Sequence, residues 1–119
     1  MPDNYISISA EKGSINVSEE VIAIIAGAAI AETEGVAGLS NTVGSEIYEF
    51  IGRKSVTKGI KVSFKEATIV IEATIMVRFG TTIATIAEKV QGAVAVAVEA
   101  MTGMSPVVNI RVAGISFDK

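Results

Sequence analysis

Apolar and polar residues alternate from Ile60 to Lys65, with Ile60, Val62 and Phe64 against Lys61, Ser63 and Lys65. The alternation resumes in Ile69, Ile71, Ala73, Ile75, Val77 and Phe79 against Val70, Glu72, Thr74, Met76 and Arg78. A period of two with one apolar face predicts two half-buried strands, joined by a hairpin turn near Glu66 to Thr68. That turn lacks the Gly or Asn that tight hairpins favour.

Two segments carry the helical period instead. Ser18 is a good N-cap, and Glu19 and Glu20 follow it where the helix dipole favours carboxylates. Val17 and Ile22 stand at hydrophobic-staple positions. The helix is expected to run to about Thr33, with Gly35 as its left-handed stop. Its apolar stripe is Val21, Ile22, Ile25, Ala29 and Ile30. Ala23, Gly27 and Ala31 form a row of small residues that admits another backbone. The second helix starts at Thr81 or Thr82 and ends before Gly103 and Pro106. Its stripe is Ile83, Ile86, Ala87, Val90, Val94, Ala97, Val98 and Met101. Ala93 to Val98 reads locally as a strand, but the flanking helical period and the end signals outweigh it. A short strand is expected over 14–17. A last one covers 107–113, with Val108, Ile110 and Val112 inward and Asn109 and Arg111 outward, and Ile115 and Phe117 extend it.

Residues 35–58 are the least regular stretch, with one short helix expected over Ser45 to Ile51. The expected order is β-α-(loop)-β-β-α-β, an α+β fold with two main helices on one face of a small mixed sheet. At 119 residues the chain fits a single domain, 1–119.

Composition narrows the chemistry. Half the residues are hydrophobic, but the aromatics are only four Phe and two Tyr. The core must therefore be built from Ile, Val and Ala. There is no His and no Cys, which removes disulfides, thiolate nucleophiles and the usual zinc sites. Met1-Pro2-Asp3-Asn4 lacks the basic start of a signal peptide. The longest apolar run, Val21 to Ala31, falls short of the roughly 20 residues of a membrane span. Asp3 and Asp118 lie near the ends of the sequence, and the Glu residues sit mostly on helix flanks, so no pair of carboxylates converges for acid/base work. No catalytic, cofactor or metal site is expected, and the chain reads as a non-enzyme.

One charge feature stands out. Arg53, Lys54, Lys58, Lys61 and Lys65 are five of the ten basic residues, in a chain of net charge −3. A solvated loop and the outer face of a strand explain them most economically. An acidic protein or an anionic membrane surface comes second. Nucleic acid comes third, because only Phe64 is available for stacking and it lies on the apolar side. The outer sheet face adds Met76, Arg78 and Arg111 to the candidate partner-binding residues. Val70, Met76 and Val96 fall on nominally exposed faces, which favours an interface.

The runs Gly13 to Ile22, Ile25 to Ala29 and Glu34 to Leu39 resemble the alkaline shock protein family of mainly Gram-positive bacteria. Gly52-Arg53-Lys54 with Lys58 to Val62 is similar to that family's middle motif. Ile83 to Val98, Met101-Thr102-Gly103 and Val107 to Ile115 are similar to its C-terminal half. The resemblance covers about residues 12–115. It implies a cytoplasmic envelope-stress protein without catalytic residues, peripheral at the inner face of the membrane through a membrane-anchored protein partner, and capable of homo-oligomer formation. The interaction or scaffold reading ranks first. A nucleic-acid-binding module using the basic 53–65 segment is the alternative.

Overall fold

The computed structural model describes residues 5–39 and 59–117. Among the described residues eight elements appear, in the order β1 (Tyr5–Ala10), β2 (Gly13–Ser18), α1 (Glu19–Ala31), β3 (Val36–Leu39), β4 (Ile60–Lys65), β5 (Thr68–Arg78), α2 (Ile83–Thr102) and β6 (Val107–Ser116). The α+β class and the two-helix layer agree with the sequence pattern. Strands β1 and β3 are additions to the expected order. The expected helix over Ser45 to Ile51 lies outside the described residues.

Strand β5 organises the main sheet. Along one edge it pairs in parallel with β6, from Val70↔Val107 to Arg78↔Ser116. Antiparallel β4 takes residues 68–73, and antiparallel β3 takes Ile75 to Val77. Because β6 spans both ranges, β3 and β4 must share the other edge of β5, end to end. The parallel pair β5 and β6 requires a crossover, and α2 supplies it. The β1–β2 hairpin forms a separate two-stranded sheet, tied down by buried Ile6.

The odd-numbered residues of β5, from Ile69 to Val77, are all buried beneath the helices. They meet Ile22, Ala26 and Ile30 of α1 and Ile86, Val90, Val94 and Val98 of α2 in one core. Val108, Ile110 and Val112 pack against it half-buried, as expected. The stripes differ at their edges. Val21, Ile83 and Met101 are exposed, because burial follows the Ile22-Ala26-Ile30 and Ile86-to-Val98 rows, each spaced by four. Of the small row, Ala23 and Gly27 are buried while Ala31 is exposed.

Local ends follow elementary rules with two revisions. The Ser18 hydroxyl accepts from the Val21 N–H at 3.2 Å, capping α1. Helix α1 stops at Glu32 in right-handed geometry, and Gly35, at φ 98°, instead turns the chain into β3. A Cβ at Gly35 would lie 3.0 Å from Ile86 Cγ1, so a larger residue in this turn would also press on a buried side chain of α2. The β4–β5 turn is closed by Lys65↔Thr68 and holds Glu66 and Ala67 at φ 51° and 67°.

Candidate interaction surface on the sheet

The even-numbered residues of β5 point away from the helices, because side chains alternate along a strand. Strand registers align them with their neighbours. Lys61, Glu72 and Asn109 form one row across β4, β5 and β6. Thr74 lies beside Arg111, Met76 beside Gly114 and Arg78 beside Ser116. Lys65 closes the β4 end opposite Thr68. Fold therefore brings five of the sequence-predicted residues, Lys61, Lys65, Met76, Arg78 and Arg111, onto one face. Arg53, Lys54 and Lys58 lie outside the described residues.

The four cations on this face are exposed and Met76 is half-buried. A Cβ on Gly114 would stand 3.1 Å from Met76 Cε, so Met76 lies flat across the glycine. The bulge between Ile75 and Met76 shifts the register and brings that glycine under the methionine. A polar depression of about 540 Å³ opens among Gly59, Lys61, Glu72, Thr74, Asn109 and Arg111. Its rim is anchored where the Thr74 N–H donates to the Gly59 carbonyl at 2.9 Å.

Glu72 is the carboxylate of this face, as the strand alternation places it. It sits centrally, opposite Lys61, where an opposite-charge cross-strand pair contributes a few tenths of a kcal/mol. Among the described residues, this leaves Lys61, Lys65, Arg78 and Arg111 against one acid on the open face. The helices carry the opposite balance, Glu19, Glu20, Glu32, Glu88 and Glu99 against Lys89. The domain is thus electrically two-sided, which net charge alone conceals. Such a face can hold an anionic group by charge and hydrogen bonding. No group of His, Cys, Asp or Glu suited to a metal ion occurs among the described residues.

The chain is 34% identical over 107 residues to the uncharacterized protein YqhY of Bacillus subtilis (strain 168), covering 89% of this chain and 79% of that one. It is 31% identical over 113 residues to the uncharacterized protein YloU of the same organism, covering 92% and 94%. Two variant structures of the MamM CTD share the fold at a TM-score of 0.50, with 17% and 16% identity, over 81% of this chain and 94% of theirs. The description of the alkaline shock protein 23 family, a cell envelope-related function, matches residues 7–117. The chain therefore belongs to the alkaline shock protein 23 family, with its cell envelope-related function.

Proposed function

We propose that the chain is a non-enzymatic interaction module that works at the inner side of the cell envelope, held near the membrane by a protein partner. The observation that carries this reading is the open sheet face, where Lys61, Lys65, Arg78 and Arg111 surround a single carboxylate and half-buried Met76. Charge of one sign steers an acidic partner and sets its orientation, and an apolar centre adds contact area. No helix among the described residues is long and apolar enough to cross a membrane, so a partner is the economical tether. Membership of a cell envelope-related family supplies the setting.

The test is crosslinking and fractionation of cells carrying wild type or the variant Lys65→Glu, Arg78→Glu, Arg111→Glu. Lys61 is kept, so the cation opposite Glu72 on the neighbouring strand remains. Each substitution is exposed and should shift stability by less than about 0.5 kcal/mol. Wild type should recover a membrane-fraction partner in a salt-sensitive way, and the variant should recover much less. Equal recovery by a folded variant removes the sheet face from the interaction. Binding of RNA or DNA that weakens steeply with salt would transfer the face to the nucleic-acid alternative.

A further inference from the structure

The helical layer has an outer surface that the core does not explain. Helix α1 carries no charge from Val21 to Ala31 and is apolar on both sides. Ile22, Ala26 and Ile30 enter the core, while Val21 is 45% exposed on the opposite side. A helix that is hydrophobic all round is normally covered all round. Helix α2 adds Val96, 70% exposed, and Met101, 69% exposed. Between the helices runs a groove of about 930 Å³, lined by Ile24, Ala28, Gly92, Val96 and Met101 among others, with Glu32 and Lys89 its charged residues. A Cβ at Gly92 would meet nothing within 4 Å, so the space above the small-residue floor is open. A trough between two packed helices suits the ridge of a third.

Charge selects the occupant. Glu32 lines the end of the groove, Glu88 lies one turn before Gly92, and Glu99 follows Val96 by three positions. Lys89 is the cation among them. A second copy docking helix layer to helix layer would oppose two acidic rims. A second copy presenting its sheet face would match the charge, but half-buried Val70 and Met76 give no apolar ridge to fill the trough, and Glu72 and Asn109 would be desolvated against it. An anionic bilayer would be repelled. We propose that the groove between α1 and α2 binds an amphipathic helix of a partner protein, apolar along one stripe and flanked by Lys or Arg. This surface is on the opposite side of the domain from the basic sheet face and is separable from it.

The experiment uses the full chain and two synthetic helical peptides with the same Leu/Ala stripe, one flanked by Lys and one by Glu. Affinity is measured by fluorescence anisotropy, and the site is mapped by amide chemical shifts. The Lys peptide should bind roughly tenfold tighter at low salt, with the margin shrinking as salt screens the rim. Shifts should concentrate at Ala28, Gly92 and Val96. Gly92→Gln fills the trough with a neutral side chain, improves helix propensity, and should abolish peptide binding without loss of fold. Glu88→Lys with Glu99→Lys should erase the preference for the Lys peptide. Lys65→Glu, Arg78→Glu, Arg111→Glu should bind the Lys peptide undiminished, which separates this surface from the sheet face. Equal affinity for both peptides, binding of neither, or shifts mapping to the sheet overturns the proposal. So does protection of the groove by self-association or by anionic vesicles in the absence of peptide.

Discussion

The β4–β5 hairpin should be improvable by two substitutions, because its two turn residues sit in the left-handed region without the side chains that suit it. Glu66 and Ala67 have φ of 51° and 67°. Both are exposed, so no packing is lost on replacing them. A left-handed residue other than Gly, Asn or Asp costs about 1–2 kcal/mol. For Ala67→Gly, the greater freedom of glycine in the unfolded chain offsets about 0.5–1 kcal/mol of that. The net gain is about 0.5–1 kcal/mol, or about 2–5 °C in Tm for a domain of this size. Glu66→Asn adds a similar increment, because Asn tolerates this conformation and Asn-Gly is the preferred two-residue turn. Thermal unfolding by circular dichroism and urea titration would measure both. The urea midpoint should rise with an unchanged slope, the mark of a native-state effect without altered compactness. A lower Tm for Ala67→Gly would refute the reasoning, since it would mean the turn is not the two-residue left-handed form closed by Lys65↔Thr68.

Gly27→Leu should destabilise by roughly 1–3 kcal/mol through overpacking, because Gly27 is buried in α1. Unchanged thermal stability would show that the site has room. Thr102→Val should cost about 1–3 kcal/mol, since the buried hydroxyl donates to the Val98 carbonyl at 2.8 Å and accepts from the Met104 N–H at 3.1 Å. Urea midpoints would reveal it, and no loss would mean that water replaces the hydroxyl. Arg53→Glu, Lys54→Glu and Lys58→Glu together should leave the unfolding midpoint nearly unchanged while reducing salt-sensitive partner recovery. Equal recovery by the folded triple variant would make those cations solvated surface.

Local periodicity was enough to read β4, β5, α2 and β6, because a strand or helix that buries one face writes its own period into the chain. The cap at Ser18 and the stop at Gly103, left-handed at φ 78°, were legible for the same local reason. Other features needed partners distant in sequence. Strand β3 has four residues, too few to show a period, and exists by pairing with Ile75 to Val77. Val21, Ile83 and Met101 look like core residues by type, yet the sheet and the partner helix cover only the rows spaced by four. The cations of β4, β5 and β6 are dispersed from Lys61 to Arg111 in the sequence. Alternation assigned them to the outer sheet face, but which of them are neighbours follows only from the parallel β5–β6 register and the antiparallel β4–β5 register. The apolar groove likewise appears only when α1 packs beside α2. Residue pattern thus determined which side of each element is apolar. Tertiary packing decided which apolar sides are covered, because burial belongs to pairs of surfaces and not to either one alone.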